Sequence, residues 1–173
     1  REEVYGIYSF EDQQGYLRLA INRTRSGEQP VRTFHYLADG QSVIRNLIQE
    51  HQLCPKLCFL QHSAIPCREK NCQGACEGDE EPKQYNKRVN QAIESLRRSP
   101  SFVLIDQGRR AGEKSCILMV EGCFHGMGYI KETHPMERNF LTKRIPRMRE
   151  NGFIRNLILG HASRFPEKVI ELR

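Results

Sequence analysis

Hydrophobic and polar positions alternate in the first third of the chain. Val4 to Phe10 and Tyr16 to Ile21 are rich in β-branched and aromatic residues, and a polar, glycine-containing segment joins them, which is typical of a β-hairpin. Val31 to Tyr36 predicts a third strand. Helical spacing begins after Asp39, the expected N-cap residue, and continues to Leu53-Cys54. The apolar face of this helix consists of Val43, Ile44, Leu47 and Ile48.

The second half of the chain predicts one more helix, a group of strands and a helical end. Acidic residues and a proline from Asp79 to Pro82 are typical of a helix start. The apolar face that follows consists of Tyr85, Val89, Ala92, Ile93 and Leu96. The expected strands, a second small meander, are Phe102 to Ile105, Cys116 to Val120 and Phe124 to Ile130. From Glu137 onward, two helical segments are marked by Phe140, Leu141 and Ile145 and by Phe153, Ile154, Leu157 and Ile158.

These elements predict an α+β protein with small antiparallel sheets, packed helices and a cysteine-rich metal-binding knot. We expect a strand-helix unit at 1–53, a cysteine-rich segment at 54–78, and a helix, a β-meander and C-terminal helices at 79–173. A chain of 173 residues is long enough to bury a core without disulfides. No membrane span or signal peptide is apparent, so we expect a cytoplasmic protein. Because the sequence starts at Arg1 without Met, we expect it to be a piece of a longer protein.

Five of the seven cysteines lie between Cys54 and Cys76. Closely spaced thiolates are soft ligands that suit Zn²⁺ or an iron-sulfur cluster such as [4Fe-4S]. We expect Cys67, Cys72 and Cys76 to be ligands, with either Cys54 or Cys58 as the fourth.

Other interpretations of the cysteines remain open at this point. The five could be free thiols, or disulfides if the protein were exported, although no export signal is present. His62 is a further ligand candidate, but a lone histidine is more often a surface residue. Cys116 and Cys123 are expected to be core thiols outside the site.

Lysine and arginine number 27 against 21 acidic residues, giving a net charge of +6, which favours acidic partners such as DNA. The candidate phosphate contacts are Lys83, Lys87, Arg88, Arg97, Arg98, Arg109 and Arg110. A solvated helix face is the competing interpretation. A second basic group consists of Lys143, Arg144, Arg147, Arg149 and Arg155. Phe59, Tyr85 and Phe124 could stack on exposed bases, although core packing is the expectation for each.

The run from Cys72 to Gly78, with Pro66-Cys67 before it and Tyr85 to Val89 after it, resembles a known cysteine-rich segment. In UvrC, the bacterial excision-repair endonuclease subunit, that segment follows the GIY-YIG nuclease domain. Tyr16 to Leu19 and Phe34 to Cys54 resemble the upstream strands, helix and first cysteine of the same family. The interval between Cys67 and Cys72 is shorter than usual, and Cys58 is an additional cysteine.

A closer resemblance, over residues 4–130, is to the C-terminal part of bacterial proteins that join a DnaQ-like 3'-5' exonuclease, similar to polymerase III epsilon, to a UvrC-like GIY-YIG domain. This resemblance implies a DNA-repair or DNA-processing nuclease context, with Zn²⁺ or an iron-sulfur cluster at the cysteines. It also implies nuclease domains upstream in the same polypeptide, so that DNA and those domains are the expected partners.

We expect no catalytic residue in this chain. Gly6-Ile7-Tyr8 lacks the following Tyr-Ile-Gly motif, arginine and glutamate that GIY-YIG chemistry needs. The acidic residues do not form the carboxylate set of a two-metal exonuclease, and the histidines form no triad. The predicted role is therefore a non-catalytic DNA-binding scaffold, with a protein-docking module as the alternative.

Overall fold

The hairpin predicted at the start of the chain is present. Strand β1 (Tyr5–Glu11) pairs antiparallel with β2 (Leu17–Arg23), and the side chain of Asp12 accepts hydrogen bonds from the backbone N–H groups of Gln14 and Tyr16, both at 2.9 Å. The third strand is shorter than predicted: β3 (Arg32–Phe34) pairs with the first residues of β1. The sheet order is β2-β1-β3.

Two helices accompany this sheet, α1 (Leu37–His51) and α2 (Pro82–Arg97). The prediction of Asp39 as the N-cap of α1 is wrong, because the helix begins earlier and its N-cap is Tyr36, whose extended backbone precedes the first helical residue. Asp39 instead lies in the first turn, where its negative charge is favourable beside the positive end of the helix dipole. Helix α2 begins at Pro82, as the acidic residues and the proline indicate.

The core of this region lies between the sheet and the two helices. Gly40 brings α1 close to the sheet, since a Cβ atom there would lie 3.3 Å from side-chain atoms of Ile21 and Phe34. Asn86 joins α2 to the hairpin: its amide oxygen accepts from the Leu17 N–H at 2.7 Å, and its amide nitrogen donates to the Gly15 carbonyl at 2.8 Å.

The later strands form a separate antiparallel sheet. It contains β4 (Ser101–Gln107), β5 (Glu113–Val120), β6 (Cys123–Lys131) and β7 (Val169–Leu172), in the order β6-β5-β4-β7. The predicted meander is therefore present, and β7, which the sequence patterns did not indicate, adds a fourth strand. It pairs with β4 in a register that joins Ser101 to Leu172.

Side chains on the two faces of this second sheet form two apolar clusters. On one face Val103, Cys116 and Leu118 pack with residues of α3 (Arg138–Arg144) and of the turn that follows it, Leu141 and Ile145. On the other face Phe102 and Leu104 pack with Ile158 of α4 (Gly152–Arg164). The alternation along β4 thus places successive residues in opposite clusters.

The computed structural model describes residues 4–67 and 72–173. The chain divides into two compact units, unit 1 (Arg1–Arg97) and unit 2 (Arg98–Arg173). The predicted α+β class, with two small antiparallel sheets and a cysteine cluster, is confirmed. The three-part division at residues 53 and 78 remains a prediction. Among the helices of the described residues, none has the length and apolar character needed to cross a membrane.

Candidate metal centre

Four cysteine sulfurs come together in unit 1. The Sγ atoms of Cys54, Cys67, Cys72 and Cys76 all lie within 4.8 Å of one another, and the distance from Cys67 Sγ to Cys54 Sγ and to Cys76 Sγ is 3.8 Å in each case. Cys54 is buried, and the other three are partly exposed. All four are free thiols. Three of them are the residues expected from the sequence, and Cys54 is the fourth member of the group.

The end of α1 delivers Cys54 to this group. Gln52 has a left-handed backbone conformation at the helix end, and the chain then turns so that the Leu53 N–H donates to the Ile48 carbonyl at 3.0 Å. A tight turn follows, in which the Cys58 N–H donates to the Cys54 carbonyl at 3.2 Å and the Leu60 N–H donates to the Pro55 carbonyl at 2.9 Å. Cys54 is therefore fixed by hydrogen bonds on both sides.

A 3₁₀ turn from Ala75 to Glu77 places Cys72 and Cys76. Gly74, before the turn, has a φ of +88°, and a Cβ atom there would lie 2.7 Å from the Cβ of Asp79. Only glycine combines that backbone conformation with so close an approach. The Gly74 carbonyl accepts from the N–H groups of Glu77 and Asp79, both at 3.0 Å, which closes the turn.

Cys58, the other candidate for the fourth ligand, lies outside the four-sulfur group. It is almost fully buried and has a hydrogen bond with the Tyr85 hydroxyl. Burial raises the pKa of Cys58 to about 12, although the tyrosine hydroxyl acts in the opposite direction. Because it is buried and lies outside the four-sulfur group, Cys58 is a packing residue of the core. His62 also lies outside the group.

The electrostatic surroundings of Cys54 and Cys72 differ. Burial raises the pKa of Cys54. Burial acts in the same direction on Cys72, but the backbone hydrogen bond from Gly74 and the hydrogen bonds with the Cys67 and Cys54 thiols outweigh it and hold the pKa of Cys72 below its usual value. This lowered pKa favours the thiolate of Cys72, the form that binds metals.

The sulfur spacing fits a metal ion. A tetrahedral Zn²⁺ site with Zn–S bonds of about 2.3 Å requires sulfurs about 3.8 Å apart. The separations of Cys67 Sγ from Cys54 Sγ and from Cys76 Sγ equal that value, and the whole group stays within 4.8 Å. Four soft donors at this spacing are what a thiolate-bound ion needs, so the residues present can hold one.

Helix α2 fixes the chain on both sides of the cysteine segment. The Arg88 guanidinium forms a bidentate ion pair with the Glu80 carboxylate, in which Nη2 lies 2.9 Å from Oε2. The same Nη2 atom also donates to the Gln52 carbonyl at 3.2 Å. The Glu80 side chain is only 2% exposed. The Tyr85 hydroxyl accepts from the Cys54 N–H at 3.2 Å, and the Tyr16 hydroxyl donates to the Glu80 carbonyl. No motif marked these contacts, which the sequence analysis missed.

The predicted phosphate contacts fall into three kinds of surroundings. Lys83 and Lys87 are exposed on α2, and neither has an ion-pair partner among residues 4–67 and 72–173. Arg88 is partly buried in its ion pair, and Arg97 pairs with Glu94 at 3.2 Å. Arg98, Arg109 and Arg110 are exposed and belong to unit 2. The role of all seven residues in DNA binding remains a prediction.

Arg109 is held at the surface of unit 2 by a carboxylate and a ring. Its Nε and Nη2 atoms donate to Glu113 at 3.0 and 2.9 Å, and its guanidinium lies 3.9 Å from the Tyr129 ring centroid. Hydrogen bonds from the Arg109 side chain and backbone hold the pKa of Glu113 down to about 2. Arg110 approaches the same carboxylate at 3.7 Å.

We expect Glu113→Gln to lower the thermal midpoint of unit 2 by a few degrees at most at neutral pH, since solvent screens the pair through Arg109, whose side chain is 60% exposed. A depressed carboxylate pKa stabilises the folded state above the unfolded-state pKa of about 4.3, and this contribution is lost as the pH falls towards 2. The midpoints of the two proteins should therefore converge between about pH 4.5 and pH 2, which calorimetry can measure. A difference in thermal midpoint that stays constant across this pH range would contradict the lowered pKa of Glu113. Glu132→Gln, which removes the same charge at another position, is the control.

The fold and the four-sulfur group define an α+β protein with a candidate cysteine metal site. Residues 7–95, a little more than half of the chain, match the family described as UvrC/Cho excinuclease, middle domain, and the chain belongs to this family. The matched region lies within unit 1 and contains all four clustered cysteines. This membership confirms the UvrC-like region and connects the chain with DNA-repair nucleases. No curated protein and no solved structure matches the chain.

Proposed function

We propose that this chain is a non-catalytic DNA-binding scaffold of a DNA-repair nuclease, organised by a cysteine-bound metal in unit 1. The observation that carries the proposal is the group of four cysteine sulfurs within the region that matches the excinuclease middle domain. The site joins the chain after α1 to the turn before α2, and α2 carries the exposed lysines Lys83 and Lys87. The metal would thereby fix the helix that contacts the DNA.

The role assigned to the metal is structural. Cys54, Cys67, Cys72 and Cys76 would occupy all four positions of a tetrahedral ion, so no position is left for water or substrate. Sulfur separations of 3.8 Å favour a single ion such as Zn²⁺. The alternative is a [4Fe-4S] cluster, in which iron atoms stand between the thiolates and hold them farther apart.

The nuclease that this scaffold serves would lie upstream in the same polypeptide. Two likenesses support that assignment: the match of residues 7–95 to the excinuclease middle domain, and the resemblance of residues 4–130 to proteins that join a DnaQ-like exonuclease to a UvrC-like GIY-YIG domain. The absence of a recognisable catalytic set in the sequence agrees with a division of labour in which the upstream domains cut DNA. The proposed compartment is the cytoplasm.

Replacing Lys83 and Lys87 together by glutamine should weaken binding of the full chain to duplex DNA by about tenfold at low salt. Each lysine lost removes about one released counterion, so the slope of log affinity against log salt should become shallower by about 2. Fluorescence anisotropy with a labelled duplex over a salt series measures both quantities.

Glu94→Gln is a control on the same helix for which the expected change in DNA affinity has the opposite sign. It removes the acid that pairs with Arg97 at 3.2 Å, so binding should become tighter. A wild-type affinity that does not depend on salt, or one that none of these substitutions changes, would contradict DNA binding through α2.

A docking module for nuclease domains or repair partners is the second candidate. It is favoured by α4 of unit 2, which leaves Phe153 and Leu157 exposed at a spacing of one helical turn. In this case the chain would associate with the upstream domains in a manner that is insensitive to salt.

A further inference from the structure

Two phenylalanine rings stack on each other at the surface of unit 1. Phe10 of β1 is 45% exposed and Phe59 is 38% exposed, with ring centroids 6.0 Å apart and an angle of 27° between the planes. Single exposed apolar residues are ordinary on protein surfaces, but two stacked rings present a continuous aromatic surface to solvent. Phe59 follows the buried Cys58 and lies in the turn that begins at Cys54.

A cation completes this surface. Arg18 is the direct cross-strand partner of Phe10, so both side chains stand on the same face of the hairpin. The Arg18 guanidinium lies 5.3 Å from the Phe59 ring centroid, and its Nε donates to Asp12 Oδ2 at 2.8 Å. The arginine side chain is 26% exposed and the aspartate 11%, so the positive partner is the one that solvent reaches more freely.

Arg18 is the cation in contact with the rings. Lys56 belongs to the same turn as Phe59, but its Nζ donates to the Ile65 carbonyl at 2.9 Å. Glu11 follows Phe10 in β1, and the alternation of a strand directs its side chain to the opposite face. An aromatic surface with a cation at its border is complementary to a nucleotide, which combines a π-face with a phosphate.

The backbone of Phe59 is held in an uncommon conformation. Its φ is +58°, in the left-handed region that glycine and asparagine adopt far more readily than a bulky side chain. The hydrogen bonds of Cys58 and Leu60 on either side fix the turn, so Phe59 has no freedom to relax. A strained residue with a half-exposed ring is the kind of position that is found at ligand sites.

We propose that Phe10, Phe59 and Arg18 form a stacking surface for an unpaired DNA base, with Arg18 placed near its phosphate. This inference rests on the proposed DNA-binding function and names a DNA form for it, single-stranded or locally opened DNA. Stacking is tolerant of sequence because every base has a π-face. Helix α2 would contact the backbone of the same DNA through its lysines.

The test uses the full chain and a single-stranded oligonucleotide that contains one fluorescent 2-aminopurine, with the matching duplex for comparison. Phe59→Gly removes the ring and is compatible with the left-handed backbone, so the turn is retained. We expect this variant to bind the single strand about tenfold more weakly and to change duplex binding less than twofold. Phe59→Tyr keeps a ring and should bind as the wild type does. Stacking should quench the 2-aminopurine fluorescence with the wild type and with Phe59→Tyr. With Phe59→Gly, which lacks this ring, the quenching should be lost.

Several results would overturn the stacking surface. If Phe59→Gly binds the single strand normally while the Lys83 and Lys87 variant does not, the stacking surface is wrong and the DNA-binding scaffold stands. If the wild-type chain binds no DNA, both proposals fail. If Phe59→Gly loses metal or stability and weakens single-strand and duplex binding equally, Phe59 is an anchor for the turn. Phe10→Thr, which keeps a good strand residue, repeats the test without altering the turn.

Discussion

Replacing Cys54 by alanine should abolish metal binding and destabilise unit 1. A structural metal site contributes its binding free energy to folding, because the unfolded chain does not hold the ligands together. We expect the free energy of unfolding to fall by about 3 to 5 kcal/mol, a large share of the roughly 5 to 15 kcal/mol that a domain possesses. Metal analysis should change from one site per chain to none, and urea denaturation should record the loss of stability.

Cys58→Ala is the matched control, because Cys58 is buried in the same segment but lies outside the four-sulfur group. It should retain the metal and cost only about 1 kcal/mol through the small cavity that it leaves. An absorption spectrum of protein purified without air identifies the metal, since an iron-sulfur cluster is coloured and Zn²⁺ is not. The metal proposal fails if the wild-type protein contains neither zinc nor iron while its cysteines remain reduced.

Replacing Arg88 by methionine should have an effect of comparable size for a different reason. The Glu80 carboxylate is 2% exposed and Arg88 is 18% exposed, so the substitution leaves a buried charge without its partner. Breaking one half of such a pair costs about 3 to 5 kcal/mol. The Gln52 carbonyl also loses the hydrogen bond that holds the end of α1. Urea denaturation of the variant measures the change.

The double variant Arg88→Met/Glu80→Gln separates charge burial from packing. It removes both charges, so it should recover at least half of the stability that Arg88→Met loses. Arg97→Met is a control on the same helix, since that arginine is exposed and its pair with Glu94 should contribute less than about 1 kcal/mol. If Arg88→Met behaves like Arg97→Met, the pair does not fix the cysteine segment.

The elements with regular patterns were predictable from the sequence. Alternation identified the hairpin and the meander, and helical spacing identified α1 and α2, because each buries one face against a sheet or a neighbouring helix. The clustering of the cysteines identified the candidate site, since soft ligands so close together have few other uses. The beginning of α1 was misplaced because Tyr36, which has no capping side chain, acts as its N-cap, while Asp39 stabilises the first turn from within.

The features that were missed depend on contacts between distant parts of the chain. Val169–Leu172 is too short for its alternation to stand out, and it becomes a strand through pairing with β4. The sequence analysis assigned Arg88 to phosphate contact and the residues around Glu80 to a helix start. It did not indicate their pairing or their contacts with the Gln52 carbonyl and Tyr16. Likewise, spacing did not distinguish Cys54 from Cys58, whose surroundings depend on Tyr85 of α2.

The pairing of β4 with β7 has a consequence for synthesis on the ribosome. Ser101 meets Leu172, so β4 has one unpaired edge until the chain has been made through β7, whereas the partners within unit 1 are available much earlier. An exposed strand edge pairs readily with other chains. The edge of β4 therefore stays open during translation until β7 has been made, and slow translation between β6 and β7 would lengthen its exposure.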